Sequence, residues 1–202
     1  MLRVGLTGGY ATGKSFVARQ LAALGCHLIY ADALGHRVLE PGGEAYAPVR
    51  ELFGPDILLP DGAIDRKKLG DIVFKNSEKL AALTAIVHPA VYRLEEESLR
   101  QFAEQDPHGI TVLEAAILIE TGRYRVYDRL ILTTCDEEIQ IARAMARDSA
   151  TREQALARIG VQLPVKQKRG LASYIIDTSG RKDETLRQVV HVHRELLAAA
   201  RH

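Results

Sequence analysis

The segment Gly8–Ser15 reads GGYATGKS and so has the GxxxxGKS pattern of a phosphate-binding loop. Its glycines allow positive φ and a close approach of the backbone, so that successive N–H groups can surround a phosphate group. Lys14 can then reach the β- and γ-phosphates of a nucleotide, and the hydroxyl of Ser15 can bind Mg²⁺. The segment therefore predicts a nucleotide site that uses magnesium.

The elements on either side of this loop are those that such a loop needs. Residues Leu2–Thr7 form an apolar alternating run that predicts a short strand. Apolar residues after the loop fall on one face of a helix from Gly13 to about Leu24, and Gly25 ends it. The positive end of that helix would face a bound anion. No GxGxxG pattern occurs here, which excludes a dinucleotide-binding fingerprint.

Asp32 follows a second apolar run, Cys26–Tyr30, which predicts a buried parallel strand. Ligands of open α/β sheets bind at the carboxyl ends of the strands, so Asp32 is expected to face the same crevice as the phosphate-binding loop. It could accept a proton there from an attacking hydroxyl, or hold Mg²⁺ through water. The alternative is an N-cap for a helix over Ala33–Leu39.

Glu114 ends a third apolar run, Ile110–Leu113, whose lack of alternation predicts a strand buried on both faces. In this kind of fold that strand usually lies next to the first. Glu114 could then reach the hydration shell of Mg²⁺, although an ordinary carboxylate at the end of a strand fits the pattern equally well.

Arg143 and Arg147 lie four residues apart, so they share one face of the helix predicted after a fourth strand, Leu130–Thr133. A hinge-like break at Asp148–Ala150 follows them. Further cations extend this basic stretch, which could fold over a triphosphate as a lid: Arg152, Arg158, Lys166, Lys168 and Arg169. For any one of them, a solvated basic surface is the alternative.

Between Gly54 and about Gly109 the pattern changes to turns followed by helices. Asp65 can cap one helix, Ser77 can cap a second, and Pro89 fits the first turn of a third. His88 precedes this proline and is therefore expected outside the helical region, either as a structural histidine or as a contact to the acceptor. The segment predicts a three-helix insertion.

The balance of 27 Lys and Arg against 26 Asp and Glu gives no reason to expect nucleic acid or an anionic membrane as a partner. Two cysteines beside predicted strands, without a signal peptide or an apolar run of membrane length, predict a reducing cytoplasmic location. A fifth strand at Tyr174–Asp177 and a last helix at Asp183–Ala200 complete an alternating pattern. The 202 residues therefore predict one three-layer α/β domain around a five-stranded parallel sheet.

Several short motifs occur in an order and spacing typical of one kinase family. They are Leu6–Gly9 running into Gly13–Ser15, Ala31-Asp32 before Val38–Gly42, Ile64–Arg66 with Val73-Phe74, His88-Pro89, and Ile176-Asp177 with Ser179-Gly180. In these motifs, over nearly its whole length, the chain resembles the dephospho-coenzyme A kinases, a family of P-loop nucleotide kinases. It departs from the usual residues of the family at Phe16, Tyr30, Ala115, Ala116, Ser173 and Thr178.

The resemblance implies a P-loop fold and transfer of the γ-phosphate of ATP, with Mg²⁺, to the ribose 3′-hydroxyl of dephospho-coenzyme A. This is the last step of coenzyme A synthesis. Asp32 is implied as the base, and Lys14, Arg143 and Arg147 as further catalytic residues. Nucleotide contacts are implied for Gly8, Gly9, Ala11, Thr12, Gly13, Lys14, Ser15 and Phe16. Acceptor contacts are implied for Asp32, Asp65, His88 and Glu120.

The implied organisation is a core of about 1–54, 110–135 and 174–202, a helical acceptor-binding insertion of about 55–109, and a lid of about 136–173. Two alternatives remain. A nucleoside or nucleoside-monophosphate kinase would share the loop, the lid and Asp32, and only the acceptor would differ. A non-catalytic nucleotide switch would need guanine-reading or partner surfaces, for which the sequence gives no sign.

Overall fold

The computed structural model describes residues 1–201 and contains the expected parallel sheet, in the strand order β2-β3-β1-β4-β5. Leu6 of β1 pairs with Glu114 of β3, and Gly8 pairs with Thr133 of β4. The strand that leads into the phosphate-binding loop therefore lies at the centre of the sheet. The strands are β1 (Leu2–Gly8), β2 (His27–Tyr30), β3 (Ile110–Glu114), β4 (Arg129–Thr134) and β5 (Tyr174–Asp177).

The helices of residues 1–201 alternate with the strands as the sequence predicts, and a group of them separates β2 from β3. None of these helices is long and apolar enough to cross a membrane. The helices are α1 (Lys14–Ala23), α2 (Ala31–Val38), α3 (Tyr46–Phe53), α4 (Arg66–Val73), α5 (Ser77–Gln105), α6 (Glu137–Asp148), α7 (Arg152–Gly160), α8 (Val165–Arg169) and α9 (Lys182–Ala200), with short 3₁₀ helices at Pro55–Ile57 and Arg123–Val126.

The main core joins the central strands to α1 and α9. Its buried side chains include Val4, Leu6, Val17, Leu21, Val112, Ile131, Ile176, Val189 and Leu196. Full burial of a side chain of this size contributes about 1.5–3 kcal/mol. This packing fixes α1 against the sheet, and α1 begins at the phosphate-binding loop, so the loop has a rigid support at each end.

The chain forms two compact units. The first contains residues 1–29 and the chain from residue 101 onward, and the second contains residues 30–100. In the second unit, Ile57, Leu69 and Val73 are buried, and an antiparallel bridge joins Leu58 to Ile64. The division into core, insertion and lid drawn from the sequence stays a prediction.

The prediction of separate helices at Ser77 and Pro89 is wrong, because α5 runs through Pro89 without interruption. Proline removes the hydrogen bond to the carbonyl group four residues earlier, that of Ala85. Both residues are exposed, so water can satisfy that carbonyl. Burial of side chains such as Val91 and Leu99 holds the helix together beyond the proline. His88 accordingly lies inside the helix, and its predicted departure from helical geometry is also wrong.

Candidate functional site

The phosphate-binding loop is shaped by close packing around its glycines. A Cβ atom on Gly8 would collide with the hydroxyl groups of Thr12 and Thr133, and one on Gly9 would lie 3.0 Å from Nε2 of Gln140. Gly13 has a φ of +82°, a conformation that side chains with a Cβ rarely adopt. The hydroxyl of Thr12 donates to the carbonyl of Gly9 at 2.8 Å and so braces the loop from inside. The glycines leave the room that a phosphate group needs.

Lys14 lies at the start of α1 with its ammonium group turned onto the loop. Its Nζ donates hydrogen bonds to the carbonyl oxygens of Gly8 and Gly9, at 3.1 and 2.9 Å. These contacts hold the cation beside the phosphate-binding loop, where phosphate oxygens could take the place of the carbonyls. The structure thus places the Lys14 ammonium group on the loop, and its contact with a nucleotide stays a prediction.

Ser15 and Glu114, the two residues that the sequence associates with magnesium, lie in contact. The Ser15 hydroxyl donates to Oε1 of Glu114 at 2.9 Å. The contact forms because β3 lies next to β1, so that the end of β3 faces the first turn of α1. Hydroxyl and carboxylate oxygens are hard donors of the kind that Mg²⁺ prefers, so these two residues fit a nucleotide-bound magnesium ion.

A cavity of about 210 Å³ adjoins the loop. Its lining residues are Gly13, Phe16, Arg19, Arg143, Thr178, Gly180, Lys182 and Thr185. Arg143 donates to the hydroxyl and to the carbonyl oxygen of Thr178, at 2.9 and 2.6 Å, and the Thr178 hydroxyl contacts the carbonyl of Thr12 at 3.0 Å. This links Arg143 to the loop. The sequence analysis missed Arg19, although its spacing of three from Phe16 places both residues on one face of α1.

Arg147 has different surroundings from Arg143, although both lie on one face of α6. Its Nε donates to Oδ1 of Asp148 at 2.8 Å, and its guanidinium group lies 4.8 Å from the ring centre of Tyr10 in the loop. Hydrogen bonds from Arg147 and Tyr10 hold the pKa of Asp148 far below its usual value. Arg158 of α7 donates to the same carboxylate at 2.8 Å. The cluster keeps both arginines beside the loop.

The predicted break between α6 and α7 is confirmed. Ser149 ends α6 in the left-handed conformation with a φ of 50°. Thr151 and Gln154 then form the capping box that begins α7. This turn brings Arg158 back towards Asp148.

Other cations of the predicted lid are bound by carboxylates within the first unit. Arg152 pairs with Glu138 on the surface at 2.5 Å. Lys168 is fully buried, with its Nζ 2.6 Å from Oε1 of Glu120, and that oxygen also accepts a hydrogen bond from the N–H of Leu163. Lys168 could reach a phosphate only by leaving a buried ion pair, a costly step. A role of Glu120 in acceptor binding stays a prediction.

Asp32 lies in the second unit, exposed and in the first turn of α2. The alternative that it caps the helix is wrong, because α2 begins at Ala31 and the extended residue Tyr30 occupies the N-cap position. The helix starts earlier than the sequence pattern indicates because the chain turns directly from β2 into α2. A carboxylate at this place interacts favourably with the positive end of the helix.

Asp65 and His88 are the other expected acceptor contacts in the second unit. The Asp65 carboxylate caps α4, accepting from the N–H groups of Lys67 and Lys68, each at 3.1 Å. His88 is partly buried, with its Nδ1 3.5 Å from the Tyr92 hydroxyl. Burial lowers the pKa of His88 and so favours the neutral imidazole. Their acceptor contacts stay predictions.

Comparison with known proteins gives one consistent result. The profile of the dephospho-CoA kinase family matches residues 2–184. A dephospho-CoA kinase of Geobacter metallireducens is 42% identical over 195 residues, which are 96% of this chain and 96% of the relative. A crystal structure from Thermus thermophilus has a TM-score of 0.85 at 32% identity and covers 98% of this chain and 97% of its own. Dephospho-CoA kinase from Campylobacter jejuni has a TM-score of 0.74 at 26% identity, with 98% of each chain covered.

Proposed function

The chain belongs to the dephospho-CoA kinase family, and on that premise we propose which of its residues carry out the transfer of phosphate from ATP. It is a kinase that phosphorylates dephospho-CoA in the final step of coenzyme A biosynthesis. The family match and the named relatives favour neither a nucleoside kinase nor a non-catalytic switch.

The first unit binds ATP. The N–H groups of the loop other than those of Tyr10 and Thr12, which are bonded within the protein, surround the β-phosphate, and Lys14 exchanges the carbonyls of Gly8 and Gly9 for phosphate oxygens. Arg143, Arg147 and Arg158 contribute positive charge at the loop and its adjoining cavity. Phosphoryl transfer depends on positioning and on stabilisation of negative charge, which these groups supply.

Ser15 and Glu114 would hold the Mg²⁺ that accompanies ATP. The observation that carries this proposal is the hydrogen bond of 2.9 Å between their side chains, since it places both oxygen donors at the mouth of the loop. When bound, the ion neutralises negative charge on the phosphates and so weakens their electrostatic repulsion of the attacking oxygen.

Asp32 is the base that accepts the proton of the ribose 3′-hydroxyl. Its carboxylate is exposed and does not occupy the N-cap position of α2. A carboxylate in this state is free to orient and deprotonate an acceptor hydroxyl. Dephospho-coenzyme A is the acceptor, and the protein works in the cytoplasm without a nucleic-acid or membrane partner.

The test is an assay of purified protein with ATP and Mg²⁺ against dephospho-CoA, adenosine, AMP and pantetheine. We expect ADP release with dephospho-CoA alone. In the Asp32→Asn variant, kcat should fall by a factor on the order of 10² to 10⁴, because the amide cannot accept a proton. The free energy of unfolding should change by less than about 1 kcal/mol, the range for a charge at a helix terminus. Full activity in this variant would exclude Asp32 as the base.

A further inference from the structure

The side chain of Tyr10 joins the phosphate-binding loop to α6 and α7. Its ring centre lies 4.8 Å from the guanidinium carbon of Arg147 and 5.5 Å from that of Arg158. Its hydroxyl forms a hydrogen bond with Asp148 and accepts another from Arg158 at 2.6 Å. One residue of the loop therefore contacts the two arginines and the carboxylate that binds them.

The backbone of Tyr10 also forms hydrogen bonds with side chains of α6 and of the segment that follows α7. Its N–H donates to Oε1 of Gln162 at 2.6 Å, and its carbonyl accepts from Nε2 of Gln140 at 2.5 Å. The next residue, Ala11, packs into a small core with residues of α6 and α7: Ile141, Ala144 and Ala155. With both peptide groups bonded and this core beneath it, the ring of Tyr10 has a fixed position.

The charges in this cluster do not cancel. Among residues 1–201, Asp148 is the one carboxylate that Arg147 and Arg158 both contact, so one positive charge remains beside the loop. The aromatic face of Tyr10 compensates part of it, since a cation within about 6 Å of a ring is stabilised by about 0.5–2 kcal/mol. Lys14 rests on the carbonyls of Gly8 and Gly9, which directly precede Tyr10, so Lys14 and the two arginines all contact the same loop.

We propose that Tyr10 is a positioning residue for phosphoryl transfer, whose ring and hydroxyl hold Arg147 and Arg158 beside the loop before the nucleotide arrives. This inference rests on the proposed function, because it requires a triphosphate in the loop. Arginines that are already ordered lose less side-chain entropy when they bind the γ-phosphate, and they stabilise the charge of the transferring group. Tyr10 acts through the arginines and touches no reacting atom.

Two substitutions separate the parts of this role. Tyr10→Phe removes the hydroxyl and keeps the ring, and Tyr10→Leu removes both. We expect kcat to fall by about threefold in the first variant and by about 10- to 100-fold in the second, since stabilisation of the transferring group is lost in steps. Affinity for a non-hydrolysable ATP analogue should fall with kcat, whereas affinity for ADP, which lacks the γ-phosphate, should stay within about twofold.

Tyr124→Phe is the matched control. The Tyr124 ring lies 5.5 Å from the guanidinium carbon of Arg125, and its hydroxyl accepts from Nε of that arginine at 3.3 Å. In this pair Arg125 is exposed and Tyr124 is partly buried, and neither belongs to the loop or to α6 and α7. The control variant should keep the kcat and nucleotide affinities of the unmodified protein.

A double-mutant test addresses the arginines directly. With Arg147 and Arg158 both replaced by Met, adding Tyr10→Leu should cause no further loss of kcat, because the groups that Tyr10 positions are gone. A further loss of the same size as in the unmodified background would overturn the proposal.

Equal losses of ATP-analogue affinity, ADP affinity and melting temperature in both Tyr10 variants would also overturn it, since packing alone would produce them. If Tyr10→Leu did not fold, Tyr10→Phe would still decide through its ratio of analogue to ADP affinity. Failure of the proposed function has another signature. The unmodified protein would then not phosphorylate dephospho-CoA, and the two nucleotide affinities, measured without acceptor, would still test Tyr10.

Discussion

Replacing Lys168 by Met removes the cation of a buried ion pair while keeping most of the side-chain volume. Lys168 is 0% exposed, and its partner Glu120 is 20% exposed. Loss of one partner of a fully buried pair costs about 3–5 kcal/mol, because the other charge remains unpaired. Glu120 keeps some access to water, so we expect a smaller loss of about 2–3 kcal/mol in the free energy of unfolding. In a chain of this size, that lowers Tm by about 4–12 °C.

The assay is chemical and thermal unfolding of Lys168→Met beside Lys166→Met, a variant at an exposed position of the same helix. The control should change the free energy of unfolding by less than about 0.5 kcal/mol. The double variant Lys168→Met with Glu120→Gln should be more stable than Lys168→Met alone, because no unpaired charge remains. Equal stability of Lys168→Met and Lys166→Met would refute the importance of the pair.

Three further variants test the nucleotide site. Lys14→Ala should lower kcat by about 10²-fold or more with an unchanged melting temperature, as steady-state kinetics and a thermal melt would show. Gly8→Ala should destabilise the protein by about 1–3 kcal/mol in urea unfolding, because its Cβ meets the hydroxyls of Thr12 and Thr133. Arg143→Met should raise KM for ATP in steady-state kinetics, since it removes a cation from the cavity beside the loop. An unchanged KM would place Arg143 outside nucleotide binding.

The sheet and the loop could be predicted from sequence because their signals are local. The motif of residues 8–15, the apolar runs of β1 and β3 and the caps at Asp65 and Thr151 each depend on residues that are close in the chain. In the structure, the predicted strands and helix caps are all present. The expected neighbourhood of β1 and β3 followed from one rule of strand order, and it brings Glu114 to Ser15.

The remaining features depend on packing between distant segments. Pro89 indicates a helix start locally, but α5 runs through it, and side chains beyond it such as Val91 and Leu99 are buried. The basic residues of the lid look alike in sequence, yet one is buried against Glu120 and another lies on the ring of Tyr10. No spacing rule shows which carboxylate or ring each cation will meet, because their partners lie far away in the chain.

The packing of α1 against α9 has a consequence for the order in which the protein is made. The loop is encoded within the first residues, yet the core that fixes α1 includes Val189 and Leu196 of α9. In a growing chain, the nucleotide-binding loop is therefore synthesised long before the core that stabilises its fold is complete. Contacts of such large sequence separation form late and slow folding. We expect a ribosome-bound chain to gain affinity for ATP only after α9 has emerged, so that synthesis itself delays the onset of nucleotide binding.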